Sequence, residues 1–290
     1  MINKLVVIGV GLIGGSFAIG LRRSNMVNRI VGVGRSWENL SSALGTYVID
    51  AAETSAANAL QDADLVMLAI PVGQMERVML EIAPYLNPGT VVTDVGSTKQ
   101  DVIEVARRCL PDHLDRFVPA HPIAGAEQSG VKAATEDLFH GKNVVITPLA
   151  ETRADAVALV KDLWRKCGAS VHEMTPQSHD AIFAAVSHLP HVLSFALVAD
   201  IAARPNAGEL FGFAAGGFRD FTRIASSSPE MWRDICLANR EALLGELDVY
   251  LAQVQHMREA IDAGDGEELG KVFEMARNAR NAWLAKDKVS

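Results

Sequence analysis

Val6-Val7-Ile8-Gly9-Val10-Gly11-Leu12-Ile13-Gly14-Gly15, near the start of the chain, is a β-branched run that meets glycines in GxGxxG spacing and continues into a helical period. A strand handing over to a helix through this spacing is the first turn of a Rossmann-type α/β fold. Gly9 permits the tight turn, Gly11 lets the backbone approach a pyrophosphate, and Gly14 lets strand and helix pack closely. The N–H groups of the new helix, entered through Leu12 and Ile13, then face the negative charge. Gly9, Gly11, Leu12, Ile13 and Gly14 are therefore candidate cofactor-binding residues; the plainer alternative is a tight turn serving some other ligand.

Beyond this turn, short apolar runs alternate with amphipathic stretches up to residue 172, the pattern of a parallel sheet. Strands are expected at Leu5 to Gly9, Ile30 to Gly34, Leu65 to Ile70, Val91 to Asp94, Phe117 to Ala120, Val144 to Thr147 and Ala169 to His172. Helices are expected at Gly14 to Arg22, Gln74 to Ala83, Lys99 to Arg108 and Ala154 to Lys166. From about Thr175 only long helical periods follow, Ser178 to Ala202 and Pro229 to Ala263, with Leu189-Pro190 interrupting the first because proline removes a backbone donor. Ala263-Gly264-Asp265-Gly266 reads as a tight link between the last two helices. The boundary falls at residue 173, giving a dinucleotide-binding domain over 1–173 and a helical domain over 174–290.

The 290 residues are 49% hydrophobic, enough for one large or two modest cores. The formal net charge of -8, with no basic run, argues against general nucleic-acid binding. Cys109, Cys167 and Cys236 lie far apart without CxxC spacing, so neither a disulfide framework nor a zinc site is expected. No uninterrupted apolar stretch approaches a membrane span, and Met1-Ile2-Asn3-Lys4 leads straight into a strand without a signal-peptide pattern. The cytoplasm is the expected compartment.

The second strand ends Val33-Gly34-Arg35-Ser36, without the acid that holds the ribose hydroxyls in many NAD sites. Arg35 and Ser36 suit a 2′-phosphate, so NADP is favoured over NAD; the alternative is a solvated arginine stacking on adenine. Ile70 and Pro71, after the next strong strand, are expected to wall the nucleotide.

Four further segments carry chemistry. Asp94-Val95-Gly96-Ser97-Thr98-Lys99 follows a strand and opens a helix, so Ser97 belongs at the carboxyl edge of the sheet, as a ligand donor, a helix N-cap or both. His121, in Pro119-Ala120-His121-Pro122-Ile123-Ala124-Gly125-Ala126-Glu127, also follows a strand and suits removal of a hydroxyl proton. His188 and His191 lie three apart on the interrupted helix, but without HExxH or a carboxylate at ligand spacing they do not make a zinc site. Arg219 and Arg223 offer the planar fork that binds carboxylates, or else a pair of surface ion pairs.

Together these segments resemble the prephenate/arogenate dehydrogenase family of tyrosine biosynthesis over nearly the whole chain. The glycine turn is shared with many dehydrogenases. The ordered set of Asp94 to Lys99, His121 to Gly125 with Glu127, and His188 to His191 followed by Phe221-Thr222-Arg223-Ile224-Ala225 and Trp232 is specific. The resemblance implies a Rossmann-type domain followed by an all-α dimerisation domain, and oxidative decarboxylation of prephenate or arogenate with NAD(P). It implies His121 as base, Ser97 polarising the same hydroxyl or holding the nicotinamide, Arg223 on the ring carboxylate, His191 near the substrate side chain, and Glu127 and Trp232 at the pocket edge. His188 and Arg219 are added as candidate substrate contacts. Two rivals stand beside it: a β-hydroxyacid dehydrogenase, disfavoured because no lysine lies between Lys166 and Lys271, and a non-catalytic nucleotide-binding regulator.

Overall fold

The computed structural model describes residues 1–126, 128 and 130–287. Contacts divide the chain into two compact units, Met1–Arg240 and Glu241–Ser290. In the first unit β1 (Ile2–Ile8), β2 (Val27–Val33), β3 (Ala51–Glu53), β4 (Leu65–Leu68), β5 (Val91–Asp94) and β6 (Phe117–Val118) form one sheet in the order β3-β2-β1-β4-β5-β6. Every ladder in it is parallel. Helices α1 (Leu12–Arg23), α2 (Trp37–Gly45), α3 (Ala56–Leu60), α4 (Met75–Ile82) and α5 (Gln100–Cys109) supply the connections. This is the Rossmann-type order, and its direction reverses between β1 and β4, where such sheets open a ligand crevice.

Side chains alternate along β1. Leu5 and Val7 enter a core with Phe17, Ile30, Phe139 and Trp164, while Val6 and Ile8 enter the opposite core with Leu68, Met75, Met79 and Phe117. With both faces covered, the strands read as unbroken apolar runs. β3 escaped the sequence reading because Ala51-Ala52-Glu53 offers neither length nor a β-branched side chain.

The expectation of a single parallel sheet is corrected. β7 (Ala120–Pro122), β8 (Asn143–Ile146) and β9 (Ser170–Glu173) form a separate three-stranded sheet, in which β7 and β8 are antiparallel and α6 (Ala154–Lys166) connects β8 to β9. The switch occurs at Pro119, between β6 and β7, which has no N–H to extend the first ladder. Its carbonyl instead accepts from the N–H of Thr147, at 3.0 Å. His121 therefore stands on the second sheet, two residues after the crossing.

From Pro176 the first unit is helical: α7 (Pro176–Phe183), a π turn over Ala184–His188, α8 (Leu189–Ala202), α9 (Ala207–Gly212), α10 (Gly216–Thr222) and α11 (Pro229–Ala238). Residues Pro176–Ala202 run as one continuous helix, which by length and composition alone is long and apolar enough to cross a membrane. The interruption expected at Leu189-Pro190 takes the form of the π turn, with Pro190 in the first turn of α8. Widened turns of this kind accommodate a lost donor and gather at functional sites.

The single helix expected over Pro229 to Ala263 is two. α11 ends at Asn239, whose side chain turns inward and is 4% exposed, and α12 (Arg240–Ala263) follows. Trp232 and Ile235 of α11 join the core of the parallel sheet. In the second unit the rest of α12 and α13 (Gly266–Asp287) are joined by a turn at Gly264, with φ +67°, and His256 contacts Glu268 at 3.1 Å.

Candidate active site

The glycine turn has the shape its sequence implies. Gly9 has φ +98°, and a Cβ there would lie 2.2 Å from the carbonyl oxygen of Ala69. A Cβ on Gly14 would lie 2.5 Å from the carbonyl oxygen of Gly9, whereas one on Gly11 would meet nothing within 4 Å. Gly11 begins α1 and no side chain caps that helix, so its first N–H groups, including those of Leu12 and Ile13, face an open approach. These residues fit a dinucleotide pyrophosphate. Ile70 packs beside the turn, and Pro71 starts the adjoining 3-10 turn.

Arg35 is exposed just beyond β2. The Ser36 hydroxyl caps α2, accepting from the N–H of Asn39 at 3.3 Å. The Asn39 side chain donates to the carbonyl of Val10 at 2.7 Å, tying this segment to the glycine turn. No carboxylate occurs from Val33 to Ser36.

The loop after β5 is held by a buried ion pair. Lys99 and Asp94 are both fully buried, with Nζ 2.5 Å from Oδ2. Lys99 also donates to the carbonyl of Ala120 at 2.8 Å, and Asp94 accepts from the N–H groups of Gly96 at 2.7 Å and Ala120 at 3.1 Å. Each charge thus has further hydrogen-bond partners beside the other, the condition under which a buried pair is tolerated. The pair fastens the loop carrying Ser97 to the strand carrying His121. Ser97 does not cap α5: Lys99 occupies the cap position, and no side-chain oxygen of its own segment bonds there.

The cap comes from a distant residue. Asp180 of α7 accepts from the backbone N–H of Lys99 at 2.8 Å and of Gln100 at 2.9 Å. The same carboxylate bonds Nδ1 of His179 at 2.7 Å, and Nε2 of His179 stands 2.8 Å from Nδ1 of His121. Burial alone would raise the Asp180 pKa, but the bonds from His179 and the two amides hold it below its ordinary value. Burial lowers the pKa of His179 despite its bond to Asp180. His121 is pushed well below the ordinary histidine range, first by burial and then by His179, Lys99 and His188 around it. Phe183 packs edge-on against His121, with centroids 4.9 Å apart.

His188, on the π turn, is 1% exposed, and burial brings its pKa down to about 4. Asn239 donates through Nδ2 to Nδ1 of His188 at 3.1 Å and to the carbonyl of Asp180 at 2.8 Å. His191 donates through Nδ1 to the carbonyl of Ser187 at 2.9 Å and stacks on Trp232 with centroids 3.6 Å apart. Burial lowers its pKa, and the positive charge of Arg223 acts in the same direction.

The structure therefore gathers His121, His188, His191 and Trp232 around the Ser97 loop and brings Arg223 within electrostatic reach of His191. Arg219 stands exposed on α10 and bonds to none of these groups. Glu127 lies outside the described residues. His179, Asp180 and Asn239 were missed by sequence reasoning. An adjacent His-Asp pair near the start of an apolar helix was the available signal for the first two; Asn239 carried none beyond being a polar residue in a helical period.

A dinucleotide turn at the reversal of a parallel sheet, with neutral buried imidazoles at the sheet's carboxyl edge, defines a nicotinamide-dependent dehydrogenase. Two family models cover nearly the whole chain: the prephenate dehydrogenase nucleotide-binding domain matches residues 17–173, and the prephenate dehydrogenase dimerization domain matches residues 175–275. The chain belongs to the prephenate dehydrogenase family. Prephenate dehydrogenase of Bacillus subtilis (strain 168) is 38% identical over 283 residues, covering 97% of this chain and 76% of the relative. Cyclohexadienyl dehydrogenase of Zymomonas mobilis is 38% identical over 227 residues, covering 78% of this chain and 77% of that protein. The crystal structure of Aquifex aeolicus prephenate dehydrogenase in complex with hydroxyphenyl propionate and NAD+ matches with a TM-score of 0.91 and 37% identity, covering 97% of this chain and 98% of that one.

Proposed function

We propose that this chain oxidatively decarboxylates prephenate, arogenate or both, with residues 1–173 holding NAD(P) and residues 174–290 completing the substrate site and forming a homodimer. The observation that carries the reading is His121, a half-buried imidazole with a lowered pKa, on a strand fastened to the Ser97 loop at the carboxyl edge of the parallel sheet. The compartment is the cytoplasm, in keeping with a small-molecule substrate and an acidic chain.

When bound, the oxidised nicotinamide accepts the hydrogen and electron pair that C4 of the cyclohexadienol gives up. His121 takes the proton of the C4 hydroxyl, and Ser97 polarises that hydroxyl or orients the nicotinamide. Arg223 holds the ring carboxylate until the C1–CO2 bond breaks and its electrons close the aromatic ring onto the C4 oxygen. His121 returns its proton to that oxygen, so the step releases no net proton. His191 contacts the substrate near its side chain, Trp232 stands at the pocket edge, and His188 and Arg219 are further candidate substrate contacts. Holding the substrate in line is worth roughly 7 to 11 kcal/mol of the barrier, which leaves the protein little to supply beyond a base and a carboxylate anchor.

Gly9, Gly11, Leu12, Ile13 and Gly14 cradle the pyrophosphate, and Ile70 and Pro71 wall the nucleotide. Arg35 and Ser36, without an acid beside them, favour NADP over NAD. The test is product identification. With prephenate or arogenate and oxidised nicotinamide, the protein yields 4-hydroxyphenylpyruvate or tyrosine, respectively, with CO2 in equal amount; oxidation without CO2 would contradict the decarboxylation.

A further inference from the structure

We propose that His179 and Asp180 are positioning residues for this reaction: a carboxylate–imidazole pair that fixes His121 with its proton on Nδ1 and its Nε2 lone pair free for the substrate hydroxyl. The proposal rests on His121 being the base.

The polarity of the chain of bonds follows from donor counting. An ionised carboxylate only accepts, so the 2.7 Å bond between Asp180 and His179 takes the Nδ1 proton of His179. A neutral imidazole carries one proton, which leaves Nε2 of His179 as an acceptor. The partner at 2.8 Å, Nδ1 of His121, must then be the donor. A neutral His121 that donates from Nδ1 has its lone pair on Nε2. The tautomer of a histidine is set by the bond its other nitrogen makes, and here that bond is made inside the protein.

The anchor of this chain is unusually fixed. Asp180 does not hang from one contact: two amides at the start of α5 hold its oxygens, and Asn239 holds its backbone carbonyl. The α5 amides belong to Lys99 and Gln100, next to the Ser97 loop, so one carboxylate sets both the base and the loop that faces it. The groups around His121 are Lys99 from the start of α5, Asp94 of β5 behind that lysine, His179 and Asp180 of α7, and His188 of the π turn. Lys99 is neutralised by Asp94. Asp180 is therefore the negative charge aligned, through His179, with the cation that forms on His121 as it takes the hydroxyl proton. That proton comes onto Nε2 and returns to the substrate oxygen, and Asp180 need not be protonated at any point.

The first experiment needs no substrate. Nitrogen-15 spectra of the histidines in the whole protein at neutral pH are expected to show His121 protonated at Nδ1 and His179 protonated at Nδ1. A proton on Nε2 of His121 would overturn the proposal even if the enzyme proves active, while failure of the dehydrogenase reading would leave this spectrum unchanged. Asp180→Asn is the second arm, because a neutral amide removes the charge aligned with the imidazolium and no longer commits Nδ1 of His179 to donating. The expected result is a fall in kcat of about 10²- to 10⁴-fold, the usual worth of a positioned base, with substrate and cofactor KM little changed and the His121 proton no longer confined to Nδ1. His179→Gln, which keeps an acceptor, should retain more of kcat than His179→Leu, which does not. Equal kcat in those two variants, or full kcat in Asp180→Asn, would contradict it.

Discussion

The imidazole of His191 lies flat on the indole of Trp232, with ring centroids 3.6 Å apart and planes 18° from parallel. Trp232 is 8% exposed and also belongs to the core of the parallel sheet, so one side chain joins the fold to the site. Trp232→Ala is expected to cost about 3 to 5 kcal/mol of stability, as large aromatic truncations do. Trp232→Phe keeps a ring under His191 and should fold with a smaller loss while raising substrate KM. Urea melts and initial rates on both variants check this; an unaltered substrate KM in Trp232→Phe would remove the stack from the substrate site.

Arg223 reaches His191 electrostatically, and under the proposed function it holds the ring carboxylate. Charge-assisted hydrogen bonds contribute about 1.5 to 3 kcal/mol. Arg223→Ala should therefore raise substrate KM by about 10- to 150-fold, by the factor of ten per 1.4 kcal/mol, with cofactor KM unchanged. Steady-state kinetics with each ligand varied in turn decides it.

The glycine turn makes two variants behave differently. Gly11→Ala adds a methyl group into open space, so the melting temperature should hold while cofactor KM rises at least about tenfold, because the backbone can no longer approach the pyrophosphate. Gly14→Ala drives a methyl group against the carbonyl of Gly9 and should destabilise the fold itself. Thermal melts with and without cofactor separate the two effects.

The pH dependence follows from the lowered histidine pKa values. His121 must be neutral to act, and its pKa lies well below the ordinary value, so the acid limb of kcat/KM should fall below the ordinary histidine value of about 6.5. Stability carries the same sign. A buried neutral imidazole contributes stability that is complete above the unfolded pKa and is lost as pH falls toward the folded one. For His188, brought down to about 4, the window runs from about 6.5 to 4 and the loss is about 3 kcal/mol. Denaturant midpoints at pH 7 and pH 4.5 measure it.

The Rossmann turn, most strands and His121, His188 and His191 were legible because each is local: a glycine spacing, an apolar run, a residue after a strand or a spacing on one helix. What escaped depended on distant partners. The Pro119 switch moved His121 to a second sheet, and that sheet exists only through pairing with β8. His179 and His188 are nine residues apart, about two and a half turns of an ideal helix and so on opposite faces; the π turn that changes this register shows in no periodicity. Asn239 breaks a helix whose sequence reads straight through it, and its inward side chain is explained by Asp180 and His188, neither of them near it in sequence. Asp180 caps a helix 80 residues upstream, which no capping rule read along the chain can find.

The most direct test of the central claim is formation of reduced nicotinamide, followed at 340 nm, with prephenate and arogenate each paired with NAD and NADP. The account predicts substrate-dependent formation in at least one pairing, with NADP preferred, and its near loss in His121→Asn with little change in KM. No formation in any of the four would contradict the dehydrogenase reading and favour a nucleotide-binding regulator.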